Sequence, residues 1–392
     1  MVSRQSVFKD EAKLDINYIP RRLPHREKEY RLLMEFFNFL LKYPERMTQR
    51  VMITGEVGTG KTALAQRFGA DMTIETNKRG LNFRYVHINC REYRGKLFLI
   101  LQRAVSVFRP NFPKRGYSAE EALETLIQSL EEEDTYIILS LDEFDTLIEQ
   151  EGSEAVYKLT RLQEMSRGKP QRISILSILR DVKSTESLDN SAKSTLQRNV
   201  ISLERYPKNQ LVDILKDRLA MAFEPSTVSE DIVDLVAELA VSENGNARFA
   251  IELLWRAGKY ADAEDLDEIE PECVRKAISN IIPTVRKSEL NSLGFHEKLF
   301  LLAVARIFKG SQRTYASLSE IEEGYMVVCE ELGEQPHSHT QLWKYIQLFS
   351  TLGILKTEVA AKGIRGRSTR VSLPTVPAYE LEKQLSAILE QR

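Results

Sequence analysis

The chain has 392 residues, 42% of them hydrophobic, which is enough for two or three domains that each bury a core. Its 57 acidic and 55 basic side chains leave a net charge of −2, so bulk charge points to no nucleic-acid partner and any basic surface must be local. Cys90, Cys273 and Cys329 are few and far apart, which excludes a disulfide framework and a C-x-x-C zinc site and fits a reducing compartment.

The N-terminal residues Met1-Val2-Ser3-Arg4-Gln5 are polar and charged, with no apolar signal core behind them. No run reaches the roughly 18 apolar residues of a membrane span. The expected place is the cytoplasm, in association with the nucleoid. Residues 1–30 are polar and rich in Pro and Arg, and an amphipathic helix is predicted from about Glu29 to Leu41. Apolar strand candidates follow at Val51–Thr54, Phe83–Asn89, Tyr136–Leu141, Ile173–Leu179 and Val200–Leu203. Helical patterns separate most of them, which predicts an α/β domain with a mainly parallel sheet and helices on both faces.

Directly after the first strand candidate, Gly55-Glu56-Val57-Gly58-Thr59-Gly60-Lys61-Thr62 fits G-x-x-x-x-G-K-[ST] without a mismatch. The glycines let backbone N–H groups of Val57, Gly58, Thr59, Gly60 and the following Ala63 turn toward a polyphosphate. Lys61 reaches the β- and γ-phosphates, and Thr62 can ligate Mg²⁺. The helix that opens there adds its partial positive charge. This predicts binding of ATP or ADP with Mg²⁺.

Tyr136-Ile137-Ile138-Leu139-Ser140-Leu141-Asp142-Glu143 is a buried strand ending in two acids. Beside a phosphate loop, Asp142 would hold Mg²⁺ as the second partner to Thr62, and Glu143 would orient and polarise the attacking water. Between these elements lies a basic and aromatic segment, Arg103 and then Phe108-Arg109-Pro110-Asn111-Phe112-Pro113-Lys114-Arg115-Gly116-Tyr117. A packed surface loop and a nucleic-acid contact fit it equally well.

From about Tyr206 the strand signals stop. Residues 208–223, 229–241, 246–260 and 271–282 read as amphipathic helices, with Ser229 a plausible N-cap. Arg248, at the start of the third, could close onto a γ-phosphate and couple nucleotide state to lid position. A linker is expected around Pro283–Ser288. Helical stretches at 295–308, 317–332 and 338–352 are then followed by strand candidates Ile354–Glu358 and Arg370–Leu373.

Three helices and a hairpin give the pattern of a winged helix-turn-helix. From Lys356 to Arg370 the hairpin holds Lys356, Lys362, Arg365, Arg367 and Arg370 against the single acid Glu358, which suits phosphate and minor-groove contact. Thr340, Gln341 and Lys344 of the preceding helix could face a major groove, with Leu342 and Trp343 expected in the core. The domain boundaries read as 1–205 for the nucleotide-binding base, 206–287 for a helical lid and 288–392 for the winged helix.

The phosphate loop, the strand ending in Asp142-Glu143 and the helical lid together resemble the AAA+ ATPases. The whole chain is similar to the archaeal initiator proteins, relatives of the eukaryotic origin recognition complex and its helicase-loading ATPase. The similarity rests on Leu23-Pro24-His25-Arg26-Glu27, Gly55–Thr62, Asp142-Glu143, Tyr206-Pro207-x-x-x-Leu211, Gly245–Arg248 and the C-terminal winged helix. It implies double-stranded origin DNA as a partner, bound by the winged helix and by an insert matching residues 97–117. Sister initiator proteins and the replicative helicase are further implied partners.

The resemblance also implies that His25, Arg26, Tyr206 and Arg218 line the nucleotide pocket, and that ATP serves as a switch with slow hydrolysis. Two positions depart from the family: Arg180 stands where a polar asparagine is usual, and Ser191 stands where an arginine finger is usual. The chain therefore reads as a divergent paralogue. Two other readings remain open: a signalling ATPase whose winged helix binds protein, and a clamp-loader-like motor, which the missing finger disfavours. Arg367→Ala is expected to weaken duplex binding and to lower the slope of log K against log salt by about one unit. An unchanged slope would remove the hairpin from the interface.

Overall fold

The computed structural model describes residues 6–44, 46, 48–113, 115–160, 170–281, 287–309, 313–359 and 369–390. They form two compact units. One comprises residues 19–210 with 245–247, and the other residues 6–18, 211–244 and 248–390.

The first unit is built on five parallel strands: β1 (Arg50–Thr54), β2 (Phe83–Asn89), β3 (Tyr136–Asp142), β4 (Ile173–Leu179) and β5 (Val200–Ser202). Their order is β2-β3-β4-β1-β5. β3 and β4 are buried at every residue, as strands covered on both faces must be, whereas the edge strand β2 exposes Arg84. α1 (Glu27–Lys42) and α2 (Lys61–Lys78) cover one face through Leu33, Phe37, Leu64 and Phe68. α3 (Leu97–Val105), α4 (Ala119–Glu132), α5 (Asp145–Thr160) and α6 (Asn190–Leu196) cover the other. Ser118 and Glu121 close a capping box at the start of α4, each accepting the other's backbone N–H.

Register decides where chemistry can occur. Thr54 lies opposite Leu179, Leu141 opposite Ser177, and Asn89 opposite Asp142. The C-terminal ends of β1, β3 and β4 therefore share one edge, where the strand order reverses and ligands of such sheets bind.

The second unit begins with α7 (Lys208–Ala222), whose first residues belong to the base, then α8 (Glu230–Ser242), α9 (Ala247–Ala263) and α10 (Pro271–Ile281). Ser229 caps α8 by accepting from the N–H of Ile232, as the sequence suggested. Residues 6–18, placed with the base on sequence grounds, instead pack on these helices. Phe8 lies 4.9 Å from Phe223, Val7 donates to Asp262, and Glu11 accepts from the Trp255 indole.

The winged helix follows: α11 (Lys287–Ser292), α12 (Phe295–Phe308), β6 (Ala316–Ser317), α13 (Leu318–Glu331), α14 (His339–Thr351), β7 (Lys356–Val359), β8 (Thr369–Ser372) and α15 (Ala378–Glu390). α11, β6 and α15 were not legible as elements. Residues 283–286 of the expected linker lie outside the described residues, and 287–288 open α11. Trp343 is a correction: expected in the core, it is 37% exposed. The buried stripe of α14 runs through Leu342, Tyr345, Ile346 and Phe349 at helical spacing, and position 343 falls outside it.

A buried guanidinium ties the lid helices to the winged helix. Arg275 of α10 is fully covered, donates through Nε to the Leu373 carbonyl at 2.7 Å, and pairs with Glu272 at 3.2 Å. The same Glu272 oxygen accepts the N–H of Ala378 at the start of α15. Removing one partner of such a group leaves the others desolvated and unsatisfied. Arg275→Ala is therefore expected to cost about 3–5 kcal/mol in the stability of this unit, measured by urea unfolding. An unshifted midpoint would mean that Leu373 and Glu272 find other partners.

Candidate nucleotide site

The site grows from the turn between β1 and α2. Gly58 and Gly60 adopt φ of 80° and 90°, a region that costs any side chain strain, and Gly60 is the N-cap of α2. Both also lie against neighbours. A Cβ on Gly58 would come within 1.9 Å of the Asn246 side chain, and one on Gly60 within 2.9 Å of the Tyr206 hydroxyl. Thr59 is fully buried and donates to the Glu56 carbonyl at 2.8 Å, holding the loop curled, while Val57 is 48% exposed at its tip. Lys61 Nζ donates to the carbonyls of Gly55 at 2.5 Å and Glu56 at 2.7 Å, so its ammonium lies across the mouth of the loop. Ala63 follows in the first turn of α2.

The two acids come to this place from β3. The Thr62 hydroxyl donates to Asp142 at 2.7 Å across 80 residues of sequence. A hydroxyl and a carboxylate side by side at a helix N-terminus are hard oxygen donors of the kind Mg²⁺ takes when phosphates and water complete its shell. Asp142 is buried and has a second neighbour that sequence reasoning missed: His87 Nε2 lies 3.6 Å away, with Nδ1 3.0 Å from Ser140. Burial pushes the His87 imidazole below its ordinary pKa. Only the β2–β3 register brings the pair together, so no local signal could have revealed it.

Glu143 has φ of 49°, with its N–H bonded to Asp142. Its carboxylate stands between Arg180 at 3.8 Å and Arg91 at 3.9 Å. Arg180, at the end of β4, is further fixed by its backbone N–H on Asp145 at 2.9 Å.

Arg26 and Tyr206 support the loop. The Arg26 guanidinium is 4% exposed, donates to the carbonyls of Thr59 at 3.0 Å and Glu204 at 2.6 Å, and stacks 3.9 Å from the Tyr206 ring. The preceding His25 turns the chain at φ of 62°, and its carbonyl accepts from Arg26. Asn246, which sequence reasoning passed over, lies on Gly58, and the neighbouring Ala247 N–H donates to the Gly58 carbonyl at 3.2 Å.

Arg218 and Arg248 belong to the other compact unit. Arg218 is largely buried and donates to the carbonyls of Lys13 and Tyr18, and Arg248 is exposed near the start of α9.

Residues 46–180 match the family "AAA domain", 212–279 "Cdc6 AAA+ ATPase-type lid domain", and 288–383 "CDC6, C terminal winged helix domain". The chain is 31% identical to the ORC1-type DNA replication protein 2 of Sulfolobus acidocaldarius, over 100% of this chain and 96% of that protein. It belongs to the ORC1/Cdc6 family of DNA replication proteins. Among solved structures, Cdc6p of Pyrobaculum aerophilum superposes with a TM-score of 0.84 at 30% identity, covering 98% of this chain and 99% of that one. The Aeropyrum pernix ORC1 protein in complex with DNA gives 0.65 at 28%, covering 99% of each chain. The ADP form of the Aeropyrum pernix ORC2 protein gives 0.63 at 25%, covering 98% and 99%. Among the described residues, no helix is long and apolar enough to cross a membrane.

For an ORC1/Cdc6 chain, the DNA-facing candidates are spread over several surfaces. On α14, Thr340 and Lys344 are exposed and Gln341 is half-buried. Arg370 on β8 stacks 4.2 Å over Tyr315 and lies opposite Glu358. In the 97–117 segment, Phe108 and Phe112 pack on the core, Arg109 pairs with Glu132 at 2.8 Å, and Arg115 is exposed. Lys114, Lys362, Arg365 and Arg367 lie outside the described residues.

Lys61→Ala is expected to abolish nucleotide binding, measured by titration with a fluorescent ADP analogue; retained affinity would count against the loop as the site. Gly58→Ala should weaken binding as well, because its Cβ has no room beside Asn246. Wild-type affinity in that variant would mean that the 245–247 segment moves aside at little cost.

Proposed function

We propose that this chain is a nucleotide-switched replication initiator that binds duplex DNA at origins and helps recruit the replicative helicase or regulate its loading. The observation that carries the reading is the Thr62–Asp142 hydrogen bond at an intact phosphate loop, in a chain that also folds a winged helix. The ADP form of one relative and the DNA complex of another support nucleotide and DNA as the two ligands. Sister initiators are further proposed partners, and the nucleoid the working place.

Lys61 is placed to exchange the carbonyls of Gly55 and Glu56 for phosphate oxygens. Thr62 and Asp142 would hold Mg²⁺, which neutralises phosphate charge when bound. Glu143 is the base that would orient water for attack on the γ-phosphate. Its neighbours Arg91 and Arg180, at 3.9 and 3.8 Å, hold the carboxylate in place. With Ser191 in the position of the arginine finger, no cation at that position is available to a neighbouring subunit's γ-phosphate. Hydrolysis is accordingly slow, and ATP acts as a conformational switch more than as a fuel.

Selection of binding sites from a random duplex library, using full-length ADP-loaded protein at physiological salt, tests the reading. A recovered consensus is the expected result. Absence of any duplex binding would overturn it in favour of a winged helix that binds protein.

A further inference from the structure

We propose that Trp343 is a specificity-determining residue for DNA, an apolar reader that contacts thymine methyl groups in the major groove. The inference rests on the DNA-binding reading above and deepens it. α14 is amphipathic, with Leu342, Tyr345, Ile346 and Phe349 buried and Phe300 of α12 packed on Tyr345 and Phe349 at 5.9 and 6.1 Å. This packing fixes the helix about its axis and dictates what it presents outward. The outward stripe is Thr340, Trp343, Lys344, Gln347 and Thr351, with Trp343 37% exposed. A half-covered indole on such a stripe is the largest rigid apolar group that α14 offers to a partner.

Charge argues for a duplex as the occupant. α14 carries no Asp or Glu, whereas α13 beside it carries Glu320, Glu322, Glu323, Glu330 and Glu331. Glu322, which reaches the start of α14, is paired there with His339. The stripe can therefore approach phosphates without like-charge repulsion from its own helix, and Lys344 supplies an attraction of its own.

Within the major groove, thymine alone presents a methyl group, at C5, and apolar side chains read it. Thr340 and Gln347, one turn to either side of Trp343, can serve polar edges next to it.

The test uses the full-length ADP-loaded protein and two duplexes, alternating d(A·T) and the same length of alternating d(A·U). Uracil lacks only the methyl, and the repeat presents it in every register, so the comparison requires no defined binding site. Wild-type protein is expected to bind the thymine duplex about fourfold more tightly per methyl contacted. Trp343→Ala should lose that preference and keep the salt slope, because the indole neutralises no phosphate. Trp343→Phe should retain part of the preference.

A second readout uses the fact that the chain has two tryptophans. In Trp255→Phe protein, Trp343 is the sole indole, and duplex should shield it from acrylamide quenching. An equal thymine preference in wild type and Trp343→Ala, or quenching unaffected by bound duplex, would overturn the proposal while leaving DNA binding in place. Failure of the wild type to bind either duplex would overturn the DNA reading and this inference with it.

Discussion

The parallel register of the central strands is the constraint on which the site depends. With Thr54 beside Leu179 and Leu141 beside Ser177, β1, β3 and β4 end together. A phosphate loop leaving β1 then meets the carboxylate at the end of β3, and Thr62 can reach Asp142. A shift of one residue in β3 would turn Asp142 to the opposite face, because side chains alternate along a strand. Slip is resisted because β3 is buried at every residue and its polar side chains have fixed partners there, Ser140 with His87 and Asp142 with Thr62.

Around this edge the chain places buried polar groups whose positions are fixed by their partners. Arg26 is the clearest. Its guanidinium is buried against the Tyr206 ring and spends donors on the carbonyls of Thr59 and Glu204. It thereby joins the N-terminal approach, the phosphate loop and the segment after β5. Burying a cation with its donors satisfied specifies geometry more than it adds stability. Here that geometry is the curvature of the loop between β1 and α2. Arg275 repeats the device in the other unit, joining α10 to the ends of β8 and α15.

One of the two departures from the family pattern, Arg180, lies beside Glu143. Together with Arg91 it flanks the Glu143 carboxylate; the other departure is Ser191, where the family has an arginine. In the proposed switch, positive charge beside Glu143 and none at position 191 both suit a site that holds nucleotide longer than it turns it over. In the winged helix, α14 carries no acidic side chain, which suits the proposed contact with a duplex.

Sequence alone determined the elements whose signals are local. The five strands of the base, the four lid helices and the helices 295–308, 317–332 and 338–352 follow from apolar runs and helical periodicity. The phosphate loop follows from its glycines, and the strand ending in Asp142-Glu143 from its apolar run. Tertiary structure decided what depends on partners remote in sequence. Arg26, which the family resemblance assigns to the nucleotide pocket, is buried and donates to the Thr59 carbonyl of the loop, a contact no local signal shows. His87 and Asn246 reach the site only through strand register and chain return. Trp343 left the core because the helix phase is set by packing on Phe300, which composition does not reveal. Residues 6–18 joined the lid helices because the apolar partners of Phe8 lie more than two hundred positions away. Local propensity and spacing are written in the chain; which side chains meet across the fold is fixed only when the core closes.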